Sequence, residues 1–157
     1  MNSNSDYKTE LEKNGAIAFV PGGNSMWPTL KNRGQSVIVK KKSERLKKFD
    51  VALYQRYNGA FVLHRVIEPV KDGYIICGDS QFTLENVKEE QVFGVMEGFY
   101  RGKKYIVCTD KKYCKEVERW YKRKNWRKFR LKCFFFWQRV KNKLRRIFVK
   151  KRGEENV

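Results

Sequence analysis

Between Gly15 and Gly102, turn chemistry interrupts the chain at short intervals, and this limits what the segment can fold into. The interruptions are Gly15, Pro21-Gly22-Gly23, Tyr57-Asn58-Gly59, Lys71-Asp72-Gly73, Gly78-Asp79-Ser80 and Arg101-Gly102. Asn-Gly and Asp-Gly favour tight reversals because these residues accept left-handed backbone angles. The intervening stretches are short and rich in Val, Ile, Phe and Tyr, which suit a pleated, half-buried surface. They predict strands at residues 16–20, 37–40, 51–55, 61–67, 74–77, 91–100 and 104–107. Residues 41–48 read as a basic connector. Residues 7–14 read as one short helix, with Asp6 as its N-cap and Gly15 as its stop. The expected fold class is mainly β, a partly open β-barrel.

After Thr109 the pattern changes. No Pro or Gly occurs from 104 to 152, and apolar residues fall at 126, 129, 133, 136, 137, 140, 144, 147 and 148. Steps of three and four place them on one side of a helix whose other side is Lys and Arg. Charge divides at the same place. Residues 1–110 carry 17 basic and 13 acidic side chains, whereas residues 111–152 carry 19 and 2. The expected organisation is a short N-terminal helix (1–15), a β domain (16–109), a C-terminal basic amphipathic helical extension (110–152) and an acidic terminus (153–157).

Several classes are set aside. No apolar run approaches the roughly 18–20 residues of a spanning helix. The polar, acid-bearing first thirteen residues do not read as a signal peptide or anchor. A chain that is 41% hydrophobic and 15% aromatic is not expected to be disordered. Cys77, Cys108, Cys114 and Cys133 have no CxxC spacing, and the single histidine is distant from them in sequence. Free thiols in a reducing compartment are expected, with no metal and no cofactor.

Three stretches hold residue types that carry chemistry. In Gly23-Asn24-Ser25-Met26-Trp27-Pro28-Thr29-Leu30, a serine sits in a loop stiffened by Gly and Pro, which can hold its hydroxyl exposed. Taken alone, this is an ordinary surface loop. In Val62-Leu63-His64-Arg65-Val66-Ile67, the only histidine has a pKa suited to taking a proton from a serine hydroxyl and returning it to a leaving amine. A lone histidine more often decorates a strand. In Gly78-Asp79-Ser80, with Glu85 beyond it, a carboxylate could orient an imidazole; Gly-Asp-Ser is equally good turn chemistry.

Their order and spacing say more than each stretch alone. Ser-Met-x-Pro-Thr-Leu, then Asp50-Val51, then His-Arg-Val-Ile, then Gly-Asp resembles the signal peptidase I family, over residues 16–100 or so. That family shares its β catalytic core with the LexA-type self-cleaving repressors. The resemblance implies a serine endopeptidase that cleaves a signal or leader peptide by acyl transfer. It makes Ser25 the nucleophile, whose backbone N–H would serve the oxyanion hole. It makes His64 the general base, where most bacterial members have Lys and the endoplasmic-reticulum type has His. Gly23, Asn24, Met26, Trp27 and Pro28 match the loop around the nucleophile, and bulky Trp27 is expected to narrow the pocket. Asp79 matches the Asp of the Gly-Asp motif. Glu85, six residues on, matches the third triad member of the reticulum type, so the orienting acid is Glu85 or Asp79. Two departures stand out. Position 23 is Gly, where some members carry a hydroxyl that donates to the oxyanion. The N-terminal membrane anchor of the family is not seen. The place implied is cytoplasmic and peripheral on a membrane, with a peptide or precursor protein as substrate.

A helix with aromatics on one side and cations on the other fits an anionic bilayer surface. The residues expected to touch lipid are Trp126, Phe129, Phe136 and Trp137, flanked by Arg139, Lys143, Arg145 and Arg146. The same side could instead pack on the β domain or a partner. Nucleic acid is the less favoured partner, because LexA-type relatives bind DNA through a module preceding the core and only about 15 residues precede it here. Beside the peptidase stand two other functions: a non-catalytic peptide-binding module on the same fold, and a nucleic-acid-associated regulator acting through the basic tail.

Overall fold

The computed structural model describes residues 6–31 and 34–154. The chain divides into two compact units between Lys115 and Glu116, six residues beyond the boundary expected from composition. Most of the acidic terminus, residues 155–157, lies outside the described residues, as do residues 1–5 of the N-terminal segment.

The first unit opens with helix α1 (Asp6–Asn14), followed by β1 (Ala16–Phe19), β2 (Val37–Lys41), β3 (Val51–Gln55), β4 (Phe61–Val70), β5 (Gly73–Cys77), β6 (Glu85–Lys88), β7 (Val92–Arg101) and β8 (Lys104–Val107). The fold is mainly β. The strands form one antiparallel sheet in the order β1-β2-β7-β3-β4-β5-β6, with β8 paired to β7, and the sheet is not closed. Three hairpins follow the turn chemistry: β3-β4 over Tyr57-Asn58-Gly59, β4-β5 over Lys71-Asp72, and β7-β8 over Gly102-Lys103.

Strand β3 sits between β4 and β7 and is buried along both faces. On one face Ala52 and Tyr54 join Val66, Tyr74, Ile76, Val87, Val92 and Leu46 in a packed cluster. Val51 and Leu53 alternate to the other face and are equally buried. Helix α1 buries Leu11 and sets the Tyr7 ring 4.8 Å from Phe19 and 5.6 Å from Phe61. The 41–48 connector is tied down through Arg45, whose guanidinium donates to the carbonyl of Val70 and lies over the Tyr74 ring.

Pairing between β4 and β5 begins only at Arg65, opposite Cys77. Residues 61–64 are therefore bonded to β3 on one edge and have no strand on the other among the described residues.

The expected single helix of the extension is two helices, α2 (Lys111–Lys122) and α3 (Lys124–Glu154), broken at Arg123. In the second unit the break is bridged by stacked rings and cations. Arg127 lies 4.5 Å from the centre of Tyr121, and Arg130 lies 4.8 Å from Trp126 and 5.7 Å from Trp120. Trp120 and Trp126 meet edge to face at 6.1 Å. Among the described residues no helix is long and apolar enough to cross a membrane.

Candidate active site

Ser25 sits at the start of a tight turn. The Trp27 N–H donates to the Asn24 carbonyl at 3.0 Å and the Leu30 N–H to the Met26 carbonyl at 2.9 Å. Met26, Thr29 and Leu30 are buried and anchor the loop, while Ser25, Asn24, Trp27 and Pro28 are half-buried. The Gly78-Asp79-Ser80 turn holds this loop from behind. The Ser80 backbone N–H donates to the Ser25 carbonyl at 2.8 Å, and its hydroxyl reaches the carbonyls of Ser25 and Asn24 at 3.0 and 2.9 Å. The two loops are so close that a Cβ on Gly78 would lie 2.8 Å from the Ser25 carbonyl oxygen. Only glycine fits there without moving the Ser25 loop.

Asp79 completes this clamp. It and Arg65 are both fully buried. The guanidinium forks the carboxylate, Nε to Oδ1 and Nη2 to Oδ2, each at 2.7 Å. Arg65 also donates to Thr29 Oγ1 at 3.0 Å, to the Phe49 carbonyl at 2.8 Å and to the Tyr113 hydroxyl at 3.1 Å. The Thr29 hydroxyl in turn donates to Asp79. A buried ion pair offsets its desolvation only when its remaining hydrogen-bonding capacity is met, and here Thr29, Phe49 and Tyr113 meet it. Phe49 adopts φ of 77°, an unusual angle for a bulky residue, and its carbonyl accepts from Arg65 in that geometry.

His64 faces a different set of groups. Its ring is 3% exposed. Nδ1 lies 3.5 Å from Glu85 Oε1 and 3.4 Å from the Tyr54 hydroxyl. These distances give electrostatic support rather than a tight hydrogen bond. Tyr54 donates to Glu85 Oε2 at 3.0 Å, and Arg56 donates to both Glu85 oxygens, at 2.9 and 2.5 Å. Burial lowers the pKa of His64 below its ordinary 6.5, and the opposing pull of Glu85 does not make up the difference. Burial on its own would raise Glu85, but the hydrogen bonds from Arg56 and Tyr54 hold it below the usual carboxylate value. The imidazole is therefore neutral at physiological pH, beside an ionised carboxylate.

Of the two candidate acids, the structure brings Glu85 to His64 and gives Asp79 to Arg65. Ser25 and His64 line one cavity of about 410 Å³, together with Gly23, Met26, Leu30, Arg56 and the rings of Tyr7, Phe19 and Phe61. Ser25 and His64 make no hydrogen bond with each other in this structure. Trp27 does not line the cavity, so it does not narrow the pocket as its bulk suggested. Gly23 has φ of 78° and offers the cavity no side-chain donor.

The groups missed from the sequence are Tyr54, Arg56, Arg65, Thr29, Ser80 and Tyr113. One signal for them was present. His64 and Arg65 are consecutive in a strand, so they must face opposite sides and cannot share an acid.

In the extension, Phe129, Phe136 and Trp137 are 64%, 61% and 63% exposed, and Trp126 is 46% exposed under Arg130. Arg139, Lys143 and Arg145 are exposed. The side chain of Arg146 lies outside what the structure describes.

No protein-family model matches this chain, and no curated protein sequence matches it.

Proposed function

We propose that this chain is a serine endopeptidase of the signal peptidase I type, with the LexA-like β core of that family, and that it cleaves a signal or leader peptide. The observation that carries the reading is that Ser25 and His64 line one cavity while Glu85 lies 3.5 Å from the imidazole Nδ1. With Nδ1 turned to Glu85 and Tyr54, Nε2 is the nitrogen left to take the Ser25 proton. The alkoxide attacks the peptide carbonyl, and the Ser25 backbone N–H meets the developing oxyanion. The imidazolium protonates the leaving amine, and water then releases the acyl group with His64 again as base. The unpaired edge at residues 61–64 suits a substrate added as a further strand.

The test is labelling with a fluorophosphonate, read by mass spectrometry. Modification confined to Ser25, and lost in Ser25→Ala and His64→Ala, supports the peptidase. Modification absent, or indifferent to His64, refutes it. A second reading, a peptide-binding module without turnover, is favoured by the missing donor at Gly23. It expects a leader peptide to bind equally to wild type and Ser25→Ala, with no product from either.

The extension would hold the enzyme at an anionic membrane surface, on the cytoplasmic face. Exposed Phe129, Phe136 and Trp137 among cations support this placement, and four free cysteines agree with a reducing compartment. A nucleic-acid-associated regulator would instead show the extension binding duplex DNA in preference to anionic vesicles.

A further inference from the structure

Glu85 has two oxygens and three claimants. Arg56 takes both in a fork, and Tyr54 adds a third donor at 3.0 Å. His64 is left with a 3.5 Å approach. A guanidinium fork on a carboxylate is planar, charge-assisted and strong, and a neutral imidazole at that distance does not displace it. Glu85 is thus first the partner of Arg56 and second that of His64.

We propose that Arg56 is a positioning residue that sets the basicity of His64 by competing with it for Glu85. The proposal builds on the peptidase reading and adds the control of its base. The guanidinium acts in two ways. It pins the carboxylate so that Oε1 stays on the Nδ1 side of the ring. It also offsets the negative charge that would otherwise hold a second proton on the imidazole.

Every charged or titratable group facing His64 enters this balance. Glu85 from β6 and Asp79 from the turn after β5 favour the imidazolium, while Arg56, just beyond β3, and burial oppose it. The charge of Asp79 is already met by Arg65, so Glu85 and Arg56 are the pair that decides. Tyr54, from β3, is kept protonated by burial and by Glu85. Its hydroxyl donates to Glu85 and lies 3.4 Å from Nδ1, where it can accept Nδ1–H in the tautomer whose Nε2 lone pair would serve Ser25.

The test uses the fact that the chain has one histidine. The NMR titration of its imidazole reads His64 without ambiguity. The Arg56 side chain is 41% exposed, so Arg56→Gln leaves the core intact, which near-UV circular dichroism checks. Arg56→Gln is expected to raise the His64 midpoint by about one pH unit. Arg56→Lys keeps the cation and is expected to stay within about 0.3 of wild type. Glu85→Gln leaves the cation unanswered and is expected to lower the midpoint, a measurement independent of how the Arg56 variants fold. The acidic limb of Ser25 phosphonylation by the fluorophosphonate should move with the NMR midpoint. An unchanged or lowered midpoint in Arg56→Gln overturns the proposal, and so does a rise of equal size in Arg56→Lys. A shifted midpoint with an unreactive Ser25 refutes the peptidase reading alone. A reactive Ser25 with an unmoved midpoint refutes the role of Arg56 alone.

Discussion

His64 and Arg65 are neighbours on β4 that face opposite sides of the sheet, and each meets a different acid. Glu85 stands 3.5 Å from the imidazole, and Asp79 forks with the guanidinium at 2.7 Å. One dipeptide therefore feeds two separate networks. One surrounds the imidazole, and the other fixes the loop that carries Ser25. The two carboxylates are not interchangeable, and their removal has different consequences.

Asp79→Ala leaves the Arg65 cation buried without its counter-ion. The expected cost is about 3–5 kcal/mol, read by urea unfolding. Glu85→Gln removes a partly exposed carboxylate, and its expected cost is below about 1 kcal/mol. The same Glu85→Gln change is expected to slow phosphonylation of Ser25 by the fluorophosphonate. If both variants lose equal stability, the assignment of Asp79 to the clamp is wrong.

Gly78→Ala places a methyl group 2.8 Å from the Ser25 carbonyl oxygen. The neighbour is backbone, so the loop must shift. Phosphonylation of Ser25 by the fluorophosphonate is expected to fall at least about tenfold, equivalent to about 1.4 kcal/mol of barrier, while far-UV circular dichroism stays that of wild type. An unchanged rate would mean that the Ser80 clasp does not position Ser25.

Stability should fall with acid in two steps. The His64 pKa is lowered on folding, so below its ordinary 6.5 the unfolded chain binds the extra proton and unfolding is favoured. The Glu85 pKa is also lowered, so its contribution is present above 4.5 and is lost as pH falls below that value. Urea unfolding between about pH 2 and pH 8 checks this. In His64→Gln the upper step should vanish and the lower one remain; an upper step that persists assigns it to another group.

Phe136→Ser with Trp137→Ser removes two exposed rings from the extension. Sedimentation with vesicles rich in phosphatidylglycerol should weaken at least about tenfold. Wild-type binding should also weaken steeply between about 0.1 and 0.5 M salt. Equal binding by variant and wild type would leave electrostatics alone at that surface.

Much of the sheet was legible because its turns carry their own chemistry. Strands β3 and β8 fall at the expected residues, and β7 and β1 differ by one at their ends. Strand β6 was not legible. Glu85-Asn86-Val87-Lys88 has one apolar residue, and its extended form depends on pairing with β5. The break at Arg123 was hidden as well, since no Gly or Pro marks it and its support comes from rings stacked with Arg127 and Arg130. At the site, Ser25, His64 and the two candidate carboxylates were singled out by the resemblance their motifs carry, and the structure sets Glu85 near His64 and pairs Asp79 with Arg65. Arg56 and Tyr54 were not, because their importance lies in reaching Glu85 from 29 and 31 positions away.

The clamp behind Ser25 joins residues remote in sequence: Thr29 to Asp79 across 50 positions and Asn24 to Ser80 across 56. Closing such spans costs loop entropy that only a formed sheet offsets, so these contacts complete late in folding. Before then, the serine rides on an unheld loop and the imidazole lacks its acid. On the peptidase reading, a newly made or half-folded copy would not yet hold Ser25 and His64 in a competent arrangement, and the closing of β5 and β6 would be what assembles it.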